Sequence, residues 1–331
     1  MVCRLLRLSG KDFLCGGAQL HRMELDERGA GLRLRRGATK GWVQAALQVA
    51  PFHRAIPSWN IRQPPGTGAR VEIRAVDEDE KRTPWLHLDM SLKPGGAKHS
   101  RSWTWRIDEL CSEKLLLDCE VRISFNRTNL ETDSPTLDCF YLATQTLRRA
   151  DKNRGMAPPD PAPTLQVPFL NQYEADSDIG ARICSAASSA MALRALGVEV
   201  SPSELARPAY HPGHDLYGIW PLAIQAAYQK GVRGWVEIFS DWRKPIRLLR
   251  KGVPIVASIA FRDGELRRPP YPSTDGHLVV LLGVAEGEKI LTHDPRLPED
   301  VGAFLRWDWR DFSAAWFGHG GVGYVYEGRV R

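Results

Sequence analysis

The chain has 331 residues, of which 43% are hydrophobic and 25% charged, with a formal net charge of +6 and a pI near 9.0. This is the composition of a soluble globular protein with length for two ordinary domains, and no apolar run approaches the roughly 20 residues of a membrane span. The basic excess does not point to nucleic acid: the arginines are scattered, as in "LRLRRG" and "ELRRPP", and no zinc-finger or nucleotide-loop spacing occurs.

The opening stretch "MVCRLLRLSGKDFLCGGAQLH" starts with positive charge. Arg4, Arg7, Lys11 and Asp12 interrupt any apolar core, so no signal peptide is visible. Asp12, Phe13 and Leu14 before Cys15 do not resemble a lipoprotein box. The default expectation is a cytoplasmic protein, and secretion would need a different start codon.

Up to residue 150 the chain reads as strands. Short apolar stretches such as "GWVQAALQV", "ARVEIRAVD", "SWTWRID" and "LLLDCEVRISF" alternate with turns. Val71, Ile73 and Ala75, and likewise Val121, Ile123 and Phe125, follow the period of two that places alternate side chains on one face. Spacing and turn chemistry predict an N-terminal all-β sandwich, jelly-roll-like, over 1–150. Trp42, Trp59, Trp85, Trp103 and Trp105 gather here; they suit either a core or a platform for a glycan or protein ligand. Cys111, Cys119 and Cys139 fall in strand regions and read as buried thiols or as one bridge plus a spare. None of the six cysteines forms a C-x-x-C pair, which argues against zinc.

Residues 151–164, "DKNRGMAPPDPAPT", are polar and proline-rich, the composition of a semi-rigid linker. The pattern then changes. Helices are predicted at 184–196, 202–208, 220–230 and 242–251. "SPSEL" is a helix start, with Ser201 as N-cap, Pro202 at the first position and Glu204 completing a capping box. Gly197, Gly231 and Gly252 stand where helices should stop. Strands follow in "VPIVASIAF", "GHLVVLLGVA", "EKILTHD" and "GVGYVYE", the middle pair joined by a hairpin at Glu286-Gly287. Helices followed by an antiparallel sheet make residues 165–331 an α+β domain.

Four residues of this second half carry a chemistry. Cys184 opens a predicted helix, where free N–H groups and the helix dipole stabilise a thiolate. His277 sits in the first turn of a strong strand. Asp294 ends the neighbouring strand of the hairpin, so His277 and Asp294 are expected side by side. The carboxylate would hold one ring nitrogen and leave the other for the thiol. Gln172, in "VPFLNQYEAD", can donate its amide to an oxyanion together with the Cys184 backbone N–H. His293 should point to the opposite face of its strand from Asp294 and is left out of this group. His211, His214 and Asp215 in "HPGHDLYG" lie in a Pro/Gly loop, and this reads as a surface or cleft-rim loop rather than a metal site.

The order Gln, Cys, His, Asp resembles that of the papain-like cysteine peptidases. Within them it is similar to the C39-like branch (family C thirty-nine), relatives of the bacteriocin leader-processing peptidases. The stretches that carry the likeness are "VPFLNQY", "CSAASSAMAL", "GVPIVASI", "GHLVVLLG" and "HDPR", with "YGIWPLAIQAAYQKG" and "DFSAAWF" in support, over roughly residues 166–326. The resemblance implies a papain-like fold with Cys184 as nucleophile, His277 as base, Asp294 as orienting residue and Gln172 as oxyanion donor. It implies a peptide or protein substrate and no metal or organic cofactor. One departure stands out: Ser185-Ala186 follow the cysteine where the family often has Gly or Ser and then Pro. Hydrolysis and acyl transfer would use the same residues. A rival expectation is a binding protein that uses the tryptophan-rich first half, its thiol domain silent.

Overall fold

The computed structural model describes residues 2–87, 98–100, 102–147 and 161–329. It separates into two compact units, one formed mainly by residues 4–147 and the other mainly by 148–331. Most of the expected linker, residues 151–160, lies outside the described residues.

The first unit is almost entirely β. Its elements are β1 (Val2–Ser9), the short helix α1 (Gly10–Cys15), β2 (Gln19–His21), β3 (Met23–Leu25), β4 (Leu32–Leu34), β5 (Lys40–Leu47), β6 (Phe52–Arg62), β7 (Thr67–Asp77), β8 (Leu86–His87), β9 (Lys98–His99), β10 (Trp103–Arg106), β11 (Glu109–Arg127) and β12 (Thr136–Thr146). The alternation seen in the sequence sets the core. Val121 faces Ala45 and Ile73 across the sheet, and Ile123 faces Val43 and Val71. All six are buried. Strand spacing predicts two packed sheets, whereas the pairing forms one twelve-stranded sheet. The long strand β11 is the cause. Its first part pairs with β6, and beyond a shift in register its last part runs between β5 and β7. The central path runs β2-β5-β11-β6-β12-β4-β3. Its end strands β2 and β3 are separated in sequence only by Arg22, whose φ is +54°, so the sheet curls until it is nearly closed. Trp59 and Trp105 are core residues, while Trp42, Trp85 and Trp103 are half-buried. Cys111, Cys119 and Cys139 are free thiols, Cys119 and Cys139 buried and Cys111 partly so.

The second unit runs α2 (Gln172–Ala175), α3 (Cys184–Ala195), α4 (Pro202–Ala209), α5 (Trp220–Gln229), β13 (Val232–Ile238), α6 (Arg243–Arg250), β14 (Ile255–Phe261), β15 (Thr274–Ala285), β16 (Lys289–His293), α7 (Glu299–Gly302), β17 (Leu305–Asp308), α8 (Trp309–Trp316) and β18 (Val322–Arg329). The four predicted helices match α3, α4, α5 and α6 to within one residue at each end, and α2, α7 and α8 were not expected. The capping box at Ser201 and Glu204 forms as expected. Gly197 and Gly231 take φ of +76° and +81°, the left-handed conformation that ends a helix at little cost to glycine.

The sheet order is β13-β18-β14-β15-β16-β17, with every pairing antiparallel. Side chains of β15 divide between two cores. Val279 and Leu281 join the cluster that includes Trp242, Phe312 and Trp316 from the α6 and α8 side. Val280 and Leu282 pack with Met191 of α3. The sheet is therefore covered on both faces, which explains why "HLVVLLG" shows an unbroken apolar run rather than alternation.

Helix α3 is buried from Ser185 through Leu193. Its small residues let it approach the sheet closely, and its serines fasten it there. Ser185 meets the Tyr324 hydroxyl at 3.0 Å, Ser189 meets the Tyr326 hydroxyl at 2.7 Å, and Ser188 Oγ donates to the Leu278 carbonyl at 2.8 Å. These bonds satisfy polar groups that would otherwise be costly to bury. They also fix the helix's height against β15. The described end of the proline-rich stretch joins the sheet as well: Ala162 pairs with Val284, and the Leu165 N–H donates to the Leu282 carbonyl. Gly283 is needed at this point, because a Cβ there would come within 2.9 Å of the Pro163 carbonyl oxygen.

Candidate active site

Two elements fix the thiol and the imidazole. Cys184 is the first residue of α3, after the 3-10 turn Gly180–Arg182, and its side chain is half-buried. His277 lies near the start of β15 and is 4% exposed. The Ser188–Leu278 bond ties the first turns of α3 to the residue that follows His277. Cys184 and His277 lie close enough for each to shift the other's ionisation.

One ring nitrogen of His277 is occupied. His277 Nε2 lies 2.6 Å from Asp294 Oδ1. A buried carboxylate only accepts, so Nε2 carries the hydrogen and Nδ1 is left for the sulfur. The hairpin produces this contact. Val280 faces His293, so the chain leaves β16 at Asp294 alongside the first turn of β15. Asp294 is fully buried and its oxygens are satisfied. Oδ1 also accepts from the Arg296 N–H at 3.0 Å, and Oδ2 accepts from the Tyr271 hydroxyl at 3.2 Å.

Gln172 is 2% exposed and is pinned at both ends. Its backbone N–H donates to the Pro295 carbonyl at 2.9 Å, beside Asp294. Its Nε2 donates to the Gly180 carbonyl at 2.8 Å, just ahead of Cys184. One amide hydrogen is spent on Gly180 and the second remains. Oε1 is buried without a hydrogen bond. Asn171 braces the same turn, with its side chain accepting from the Tyr173 and Glu174 N–H groups and donating to the Leu297 carbonyl. His277 thus stands between the cysteine and the aspartate. The glutamine is fastened to the segments flanking them, without a direct bond to the sulfur.

Electrostatics favour an ion pair. Burial pushes the Cys184 thiol up. The His277 hydrogen bond and charge, with the N–H groups of Leu278 and Ser185, outweigh this and bring it below its usual value. Burial pushes His277 down, but its bonds to Asp294 and Cys184, and their charges, carry it up to about 10. Both shifts act in the same sense, favouring thiolate and imidazolium over thiol and neutral imidazole.

A pH dependence of stability follows. The contribution of His277 is complete below its unfolded value of about 6.5 and is lost as pH rises through about 10. That of Cys184 is complete above its unfolded value of about 8.5 and is lost as pH falls through its lowered folded value. For an ion pair, the folded and unfolded states each hold one proton between about pH 6.5 and 8.5, so the two slopes cancel. Relative to a Cys184→Ala/His277→Ala double variant, the wild-type stability gain should be flat and greatest in that window and fall on either side. Unfolding curves taken from pH 5 to 10 check this, and a gain that changes monotonically would refute the ion pair.

Other candidates fall away from the site. His293 is fully buried. It bonds the Val167 carbonyl at 2.9 Å and accepts from the Phe304 N–H at 3.1 Å, a structural histidine facing away from Asp294. Burial lowers its pKa. His211 is buried rather than on the surface. Asp215 is turned to Arg182 at 2.6 Å and to the Tyr210 hydroxyl at 2.8 Å. No metal-binding group of His, Cys, Asp and Glu occurs among the described residues. Tyr271 and Arg296 escaped the sequence reading. A tyrosine bracketed by prolines in "RPPYPS", just ahead of the histidine strand, was the available signal.

On the first unit, a groove of about 570 Å³ crosses the outer face of β5, β11 and β7. Trp42, stacked on His21, lines it with Lys40, Ser124 and Arg70.

Residues 164–324 match the model of the Peptidase_C39 like family, and residues 35–144 match that of the Peptidase C39 N-terminal domain. No curated protein matches the chain. Among solved structures, the chain is similar to a protein from Bacillus anthracis named for the C39-like peptidases. The two are 17% identical, with 52% of this chain and all of that chain covered, at a TM-score of 0.40. A family two carbohydrate esterase from Cellvibrio japonicus is 13% identical over 59% of this chain and 50% of its own, at a TM-score of 0.24.

Proposed function

We propose that this chain, whose second half matches the Peptidase_C39 like family, is a papain-like cysteine peptidase hydrolysing a peptide or isopeptide bond. The observation that carries the reading is the series in which His277, beside Cys184, bonds Asp294 at 2.6 Å. The Cys184 thiolate attacks the carbonyl carbon, and His277 gives its proton to the leaving amine. Water, activated by the neutral imidazole, then releases the acyl group. Asp294 holds the imidazole in one tautomer and supports its charge. The oxyanion is received by the Cys184 backbone N–H, which has no acceptor within its helix, and by the remaining amide hydrogen of Gln172. An amine in place of water would make the same site an acyltransferase. The first unit, matched to the family's N-terminal domain, stands as a separate domain ahead of the peptidase domain.

The test is selective alkylation. Iodoacetamide near pH 6 should modify Cys184 well ahead of the other five cysteines, because its half-buried thiol has a lowered pKa. Burial pushes the Cys111 thiol up to about 11, and Cys119 also lies above its usual range. Peptide mapping reads the order of labelling. Equal labelling, or none at Cys184, favours a second reading that the Trp42 groove supports: a protein binding a glycan or another protein, with a silent thiol domain.

A further inference from the structure

The connection between β14 and β15 carries the sequence "RRPPYPS". Pro269, Pro270 and Pro272 bracket Tyr271. Each fixes its own φ and removes a backbone donor, so the segment has little freedom and few N–H groups to satisfy. Its near end is anchored: the N–H groups of Arg267 and Arg268 donate to the two carboxylate oxygens of Asp311, at 3.2 and 3.1 Å. Asp311 lies on α8 and is buried.

The mount delivers one side chain to the acid. The Tyr271 ring stacks on Phe261 at 5.4 Å and 22°, and the Arg296 guanidinium covers it at 4.7 Å. The ring meets the His277 imidazole edge-to-face at 6.0 Å. Its hydroxyl donates to Asp294 Oδ2 at 3.2 Å. Among the described residues this is the only hydrogen bond to Oδ2, since His277 and the Arg296 N–H share Oδ1.

We infer that Tyr271 is a positioning residue of the thiol site: its hydroxyl on Oδ2 sets the rotation of the Asp294 carboxylate and keeps Oδ1 aimed at His277 Nε2, while its ring walls the imidazole. The inference rests on the reading of Cys184, His277 and Asp294 as the reacting group. The physical reason is that rotation about the terminal bond of an aspartate is soft. With one oxygen untied, a buried carboxylate turns to relieve it, and the His277 bond lengthens. The imidazolium then loses support, and the thiolate loses support with it.

The experiment is the pH profile of Cys184 alkylation by iodoacetamide on the full chain, which needs no knowledge of the substrate. Tyr271→Phe keeps the ring and its stacking and removes only the hydroxyl. The expected result is a thiolate titration displaced to higher pH, read as an alkylation rate at pH 6 about threefold to tenfold below wild type, the scale of one lost hydrogen bond. Melting of the same sample scores the native fraction, so a role in stability alone would move the melting point and leave the profile of folded molecules in place. In an Asp294→Asn background, Tyr271→Phe should add no further displacement. A Tyr271→Phe profile that overlays wild type, while Asp294→Asn is displaced, overturns this inference alone. An Asp294→Asn profile that also overlays wild type overturns the reading of the acid itself.

Discussion

Cys184→Ser is expected to abolish peptide hydrolysis while leaving the fold in place. Loss of a nucleophile from a catalytic unit of this kind costs on the order of 10⁴-fold or more in turnover. Serine is close in size to the half-buried cysteine at the head of α3. The hydroxyl would remain protonated, because His277 cannot ionise an alcohol as it does a thiol. The ion pair would vanish with it, and His277 would lose one of the two partners that carry it up to about 10. Turnover of a mixed peptide library by purified wild type and variant, with circular dichroism on both, is the measurement. A folded Cys184→Ser protein that still cleaves at the wild-type rate would remove Cys184 from the chemistry.

Asp294→Asn should lower turnover by about 10² to 10⁴-fold, the range known for removing the charge from the acid of a nucleophile–histidine–acid series. The side chain is fully buried, yet the substitution can keep every contact. The amide oxygen can accept from His277 Nε2 and the Arg296 N–H. The amide nitrogen can take the place of Oδ2 and donate to the Tyr271 hydroxyl, which accepts as well as donates. Fold stability should therefore change little. What disappears is the negative charge 2.6 Å from the imidazole, and with it part of the stabilisation of imidazolium and thiolate. Turnover per molecule titrated at Cys184 and the thermal midpoint must be read on the same sample. If the variant melts early but turns over normally, Asp294 is a cap for the turn at Pro295 and nothing more.

Local chemistry placed most of the second unit's elements and the positions in them of three of the four candidate site residues. The helix starts at Cys184 and Ser201, the stops at Gly197 and Gly231, and the hairpin at Gly287 follow from capping and turn preferences, which act over a few residues and survive in any context. The contact between His277 and Asp294 was legible for the same reason. A tight hairpin fixes which strand start lies beside which strand end, and His293 was set apart from Asp294 by alternation alone.

Tertiary structure decided the rest. Gln172 reaches the site through bonds to Pro295 and Gly180, and its spare amide hydrogen is visible only once those partners are known. Tyr271 stands 23 residues from Asp294, on a connection whose path is set by Asp311 of a later helix; no periodicity encodes that path. The serines of α3 look like weak helix formers until Tyr324, Tyr326 and the Leu278 carbonyl appear as their partners. In the first unit the period of two gave the buried faces of β7 and β11, because a strand's facing is intrinsic to it. The way one long strand passes from β6 to the space between β5 and β7 is a matter of register shifts and long-range pairing. Those depend on which surfaces bury each other, and a sequence holds that information only jointly, across residues far apart in the chain.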